Sequence, residues 1–238
     1  MRILKDRKDN YENSKLGKFS KMISSNIVKV VREKTKLNSW KNTHSVLSWF
    51  KAIPNKNRLS FITYDVCEFY PSITEELLNN SLDFASDFIE ISDDDREIIF
   101  QARRSFLFDG NIPWNKKSIT EFDVGMGSFD GAECCDLVGL YMLSQLQHLN
   151  INLGKYRDDA LGVTSMTPRQ ADIAKKEICK IYQQNSLSIE IQVNAKSVDF
   201  LDINLDLRTG IYKPFMKPND CPTYILKNGR NIQTRSIR

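Results

Sequence analysis

Histidine is nearly missing from this chain: only His44 and His148 occur among 238 residues. The five cysteines are odd in number and include no Cys-x-x-Cys pair. These scarcities argue against a structural zinc site and against a disulfide framework. Cys67, Cys134, Cys135 and Cys179 lie in apolar or helical contexts. They read as reduced, mostly buried thiols of an intracellular protein of the nucleus or cytoplasm. No apolar run approaches the roughly eighteen residues of a membrane span, and the N-terminus lacks the apolar core of a secretory signal, so no membrane partner is expected. Neither sign of charge dominates. Thirty-four basic residues face 30 acidic ones, and the net charge of +4 permits a nucleic-acid partner without demanding one. Internal repeats and low-complexity tracts are also missing.

What is present suffices for a core, since 41% of the residues are apolar. Residues 1–22 are polar and lysine-rich and read as partly ordered. Apolar spacing predicts helices over 23–31 and 38–50. Leu59 to Val66 reads as a strand that Pro71 ends. Ser72-Ile73-Thr74-Glu75 has the capping-box spacing and starts a helix to about Ile89. Ser92-Asp93-Asp94-Asp95 starts another, to about Phe106. Its three acids read as an N-cap and first turn favoured by the helix dipole, not as a catalytic cluster. Asp109 to Pro113 is a turn. A glycine-rich stretch from Phe122 to Gly131 enters an apolar helix to about Leu149. Thr167 caps a helix to about Gln184, with Ile173, Ala174, Ile178 and Ile181 inward and Lys175, Lys176 and Lys180 outward. Strands are predicted over 188–193, 198–207 and 211–215. The layout is α+β: helices on one face of a mostly antiparallel sheet, the other face free for a ligand.

Within that layout Tyr156-Arg157-Asp158-Asp159 stands out. Its two acids fall between short apolar runs that read as strands joined by a tight turn. Asp65 ends another strand far upstream. One acid plus a pair, all at strand ends, are the protein side of a two-metal phosphoryl-transfer site. Clustered carboxylates repel one another unless a cation neutralises them, and Mg²⁺ suits oxygen ligands shared with water and phosphate. The local alternatives are a turn-capping Asp65 and ordinary hairpin chemistry at Asp158-Asp159.

Other motifs surround these acids in a recognisable order. Asp65-Val66-Cys67-Glu68-Phe69-Tyr70-Pro71-Ser72-Ile73 resembles the first palm motif of reverse transcriptases. Tyr156-Arg157-Asp158-Asp159 matches their Tyr-x-Asp-Asp motif. Asn194-Ala195-Lys196 and then Phe200-Leu201-Asp202 resemble the later lysine motif and the primer grip. The Phe-Leu-Asp form, with Lys217-Pro218-Asn219-Asp220 after it, is similar to Penelope-like and related retroelement enzymes. The resemblance covers roughly residues 35–225. It departs from the family at the template loop, where Met126-Gly127 and Gly131-Ala132 replace the usual Gln before the glycine and Ser-Pro after it.

The resemblance implies a polymerase palm, a ferredoxin-like antiparallel sheet with helices on one face. Partial fingers would occupy 1–58, the palm with its primer grip 59–225, and a polar tail 226–238. It implies RNA-directed DNA synthesis on a primed RNA or DNA template with deoxynucleoside triphosphates. Two Mg²⁺ ions, or Mn²⁺ in their place, would be held by Asp65, Asp158, Asp159 and the Val66 carbonyl. Tyr70 would lie under the incoming sugar, Lys196 near the triphosphate, Gly127 in the template loop, and Phe200, Leu201 and Asp202 in the primer grip. Arg103, Arg104, Lys116, Lys117, Lys175, Lys176 and Lys180 are candidates to meet phosphates. Two other readings stand beside this one. The first is a catalytically inactive, truncated retroelement remnant that folds as a palm and binds nucleic acid. The second is an unrelated ferredoxin-like interaction domain, which requires Asp65 to lie far from Asp158.

Overall fold

The chain is described by a computed structural model over residues 15–104, 107–109, 112–114, 122–125, 127–215, 224–225 and 231–232. Residues 1–14, Lys116, Lys117, Met126, the Lys217–Asp220 segment and most of the predicted tail lie outside the described residues. The elements in chain order are α1 (Lys15–Thr35), β1 (Asn38–Ser39), α2 (Thr43–Ala52), β2 (Ser60–Val66), α3 (Phe69–Ser72), α4 (Glu75–Ser86), α5 (Asp93–Gln101), β3 (Leu107–Asp109), β4 (Ile112–Trp114), α6 (Gly131–Gln145), β5 (Asn152–Tyr156), β6 (Asp159–Thr164), α7 (Pro168–Gln184), β7 (Ile189–Ala195), β8 (Ser197–Phe200), β9 (Ile203–Asp206), β10 (Tyr212–Pro214), β11 (Tyr224–Ile225) and β12 (Asn231–Ile232).

Five strands form the central sheet in the order β1-β5-β6-β2-β7. All its pairings are antiparallel except the parallel edge pair β1–β5. Strand β2 runs Ser-Phe-Ile-Thr-Tyr-Asp-Val and sits second from one edge, paired on both sides. Its side chains alternate between two different environments. Ile62, Tyr64 and Val66 join Ala160, Leu153 and residues of α1, α4, α6 and α7 in the larger core. There the Tyr182 hydroxyl donates to the Tyr64 hydroxyl at 2.9 Å, with the two rings edge to face. Phe61 points to the other face, with Leu161 and Val163, under α2 and the three-stranded sheet β10-β9-β8.

That second core is largely aromatic. Trp40 meets Trp49 and Phe200 edge-on at centroid distances of 5.1 and 5.7 Å, and Phe50 stacks on Phe61 at 6.3 Å. Gly154 makes the arrangement possible, because a Cβ there would run into the Trp40 ring. The face expected to be free is therefore half covered: sealed where Phe61 lies and open where β2 ends.

Several local expectations hold. The Ser92 side chain accepts from Asp95 N at 3.1 Å, so Asp93, Asp94 and Asp95 form a capped first turn. Thr167 and Gln170 make a reciprocal capping box. Others change. Helix α1 begins at Lys15, well before the expected start at residue 23. Its buried positions before residue 23, Gly17 and Ser20, are small, so they carried no apolar signal. The cap of α4 is Thr74, accepting from Leu77 N at 3.1 Å, while Ser72 closes the short helix α3. Helix α4 ends at Ser86 and α5 at Gln101, short of the ends expected for them. The helix expected over 38–50 splits into β1 and α2, capped by Asn42. The long strand expected over 198–207 is a hairpin, with Leu201-Asp202 as its turn and Leu201 at φ 53°. Ile173, expected inward, is 61% exposed.

Candidate functional site

The acids are assembled by strand register. Asp65 on β2 lies opposite Asp159 on β6 and opposite Glu190 on β7, and Asp159 lies opposite Tyr156 on β5. Residues directly opposite on neighbouring strands share a face. A row Glu190–Asp65–Asp159–Tyr156 thus crosses four strands at the open end of the face that carries Phe61. Tyr156 also packs on the aromatic core, so one residue links the sealed end to the acids.

Arg157 and Asp158 form the two-residue turn between β5 and β6. Arg157 has φ 52°, a left-handed backbone that costs any residue but glycine. Its guanidinium lies over the Tyr156 ring, 5.6 Å from the centroid. The Asp158 carbonyl accepts from Val66 N at 3.2 Å, which fixes the turn tip beside the residue that follows Asp65. The interaction-domain reading required Asp65 and Asp158 to lie far apart. Their adjacency removes it.

The carboxylates sense one another. Partial burial holds the Asp65 carboxyl above its ordinary value, Asp158 and Glu190 push the same way, and Lys155 opposes them. Among the described residues, no three Asp, Glu, His or Cys side chains converge into a metal-ligand group. The acids are therefore an open array and not a closed cage. Oxygen-only donors under mutual repulsion fit a hard divalent cation, and Mg²⁺ takes few protein ligands, filling the rest with water and phosphate. In donor chemistry the residues fit the ion.

The other predicted site residues are placed as follows. Tyr70, on α3, is half-buried against Gly131, where a Cβ would come within 3.6 Å of its ring. Its hydroxyl is pushed up to about 12, first by burial and then by Cys135, and it lies within electrostatic reach of Arg157 and Asp158. Val66 is the buried last residue of β2. Gly127 has φ 89° with open space around its α-carbon, so backbone conformation alone accounts for glycine there. Phe200 is buried against Trp40, Leu201 is partly buried in the same aromatic core, and Asp202 is exposed at the turn.

Lys196 is not with the acids. It follows Ala195, which pairs with Phe61 at the opposite end of β2 from Asp65. Its ammonium donates to the carbonyls of Leu59 and Asn57. Phe61 and Asp65 are four steps apart along the strand, about 13 Å. The resemblance placed Lys196 near the triphosphate; the fold puts it at the far end of β2 from the acids.

Arg103 also changes role. It is 1% exposed and paired with the fully buried Asp130, which Ser20 also contacts, and it donates to Ser128 Oγ at 3.1 Å. It clamps the loop before α6 and is closed off from solvent. Arg104 pairs with Glu75 at 3.4 Å. Two groups at the acids escaped the sequence reading: Glu190, and above all Lys155. Lys155 is 2% exposed and donates to the Asp158 carbonyl at 3.2 Å. Its sequence signal was a lysine inside an otherwise buried strand, next to Tyr156.

No family model matches the chain, and no curated protein matches it in sequence. Solved structures do. Apo telomerase from Candida tropicalis, truncated from its C-terminal domain, matches with a TM-score of 0.65 and 14% identity, over 86% of this chain and 46% of that one. Telomerase from Candida albicans, in complex with the TWJ fragment of telomeric RNA, matches at 0.62 and 13%, over 87% and 39%. The RNA-dependent RNA polymerase of a human picobirnavirus matches at 0.53 and 10%, over 81% and 38%. The fold is thus an α+β polymerase palm with its helix-backed antiparallel sheet. At these identities the likeness shows the fold alone, and the chain spans less than half the length of each of these structures.

Proposed function

We propose that this chain is the palm of an RNA-directed DNA polymerase that extends a primer 3′ end by nucleotidyl transfer. One observation carries the proposal: β-sheet register sets Asp65 beside the Asp158–Asp159 turn at the open end of a palm sheet. Asp65 and Asp158, with Asp159 and the Val66 carbonyl in support, would hold Mg²⁺, or Mn²⁺ in its place. Bound there as a pair, such ions activate a 3′-hydroxyl and neutralise charge on the leaving pyrophosphate. Tyr70 would lie under the incoming deoxynucleotide and discriminate by bulk against a 2′-hydroxyl. The β8–β9 hairpin, braced on Trp40, would guide the primer. The substrates are then a primed RNA or DNA template and deoxynucleoside triphosphates. The Phe200-Leu201-Asp202 segment supports a retroelement enzyme of the Penelope-like kind.

The test is primer extension on poly(rA)/oligo(dT) with Mg²⁺, wild type against Asp158→Asn. Extension that the substitution abolishes is expected. A second reading draws on the open array of acids: a palm that binds nucleic acid without extending a primer. Retained binding with no extension by the wild type would replace the first reading with the second. The membrane question has a narrower answer. Among the described residues no helix is long and apolar enough to cross a membrane.

A further inference from the structure

We infer that Lys155 is a positioning residue whose buried ammonium supplies positive charge that holds the acid end of the sheet together. The inference rests on the reading of Asp65, Asp158 and Asp159 as the working acids. Lys155 precedes Tyr156 on β5, so its side chain leaves the sheet on the helix-backed face, opposite the acid row. There it is enclosed. Its stem lies along Gly139 of α6, where a Cβ would sit 3.4 Å from the lysine Cε. Its ammonium stands 4.7 Å from the centroid of the Phe69 ring, 5.8 Å from Tyr64 and 6.0 Å from Tyr182. From this aromatic pocket it reaches the end of the strand and donates to the Asp158 carbonyl at 3.2 Å.

Among the described residues Lys155 forms no ion pair, so no single carboxylate claims its charge. The carboxylates around it are Asp158, Asp159 and Asp65, every acid of the proposed site. Burying an ammonium is costly unless nearby charge compensates. Here the compensation is mutual. Asp158 and Glu190 push against Asp65 across the open face, and the Lys155 ammonium behind the sheet attracts Asp158, Asp159 and Asp65. The hydrogen bond to the Asp158 carbonyl aims that attraction at the turn, whose tip would otherwise rest on a strained Arg157 backbone and the bond from Val66. Lys155 thus sets the acids in place before any metal binds, without touching a substrate.

A merely space-filling lysine predicts something different, since methionine fills the same volume. Lys155→Met, Asp65→Asn and the double variant of the full chain are melted in EDTA and in excess Mg²⁺. In EDTA, Lys155→Met lowers Tm by a few degrees, roughly 2–4 °C. Asp65→Asn restores much of that loss in the double variant, a non-additivity expected of coupled charges. Excess Mg²⁺ raises Tm more in Lys155→Met than in wild type, because metal substitutes for the missing cation. Lys155→Gln keeps a donor without the charge and behaves as Lys155→Met does, which covers the case in which methionine prevents folding. An additive cycle in EDTA overturns the inference. A wild type whose Tm ignores Mg²⁺ instead counts against the metal-dependent polymerase reading, while the EDTA cycle still decides the role of Lys155.

Discussion

Phe61 and Asp65 lie on one strand, on one face, four residues apart, and they live in opposite environments. Phe61 is sealed beneath Phe50, Leu161 and the β8–β9 hairpin. Asp65 faces out beside two like charges, with a cation hidden behind the sheet. The sealed end fixes register, and register brings the acids together. A one-residue slip of β2 against β6 would turn Asp65 to the helix-backed face and Phe61 out of its core. The apolar end therefore protects the geometry of the polar end.

The largest effect that separates the ends is chemical. Asp65→Asn should lower primer extension by about a thousandfold or more, given the several kcal/mol that metal ions supply to such steps. The same substitution removes a like charge, so Tm should hold or rise by about a degree. A large fall in Tm would contradict the assignment of that end to chemistry. Next is Phe61→Ala at the sealed end, expected to cost about 3–5 kcal/mol in urea denaturation through the cavity it leaves. Gly154→Ala should cost about 1–3 kcal/mol, because Trp40 must move off β5.

A fourth prediction concerns the helix-backed face. Burial raises the hydroxyls of Tyr64 and Tyr182 above the ordinary tyrosine value. The folded chain thus keeps two protons that the unfolded chain releases above about pH 10, so stability falls as pH rises past that point. Tyr64→Phe with Tyr182→Phe should change stability at pH 7 by about 1 kcal/mol or less, since both partners are removed together. It should also flatten the alkaline decline in denaturation midpoint. A comparably small effect is at the turn: Arg157→Gly relieves a left-handed backbone and should stabilise by about 1 kcal/mol in the same assay.

Local signals were readable wherever the partner lies within a few residues. Ser92 and Thr167 announced their helices because a cap bonds a backbone N–H three positions on. The Tyr156–Asp159 hairpin was legible because apolar runs bracket a two-residue polar turn. Elements defined by distant partners were not. Strand β1 exists only because Asn38 and Ser39 lie along Gly154 and Lys155. Arg103 looked like a surface cation until Asp130 and Ser20 enclosed it. Ile173 has helix spacing that suits burial, but α7 presents it to solvent.

The candidate site divides along the same line. The order of its motifs, the three acids and the tight turn are properties of the sequence, because each is a residue type at a fixed spacing. The α+β pattern follows from periodicity in the same way. Tertiary structure alone decided that Asp65 faces Asp159, that Lys196 ends up at the far end of β2, and that Lys155 lies buried behind the acids. Those facts depend on strand register and on which face each strand buries. Both are settled by packing between segments a hundred residues apart, where the local sequence holds no record of the partner.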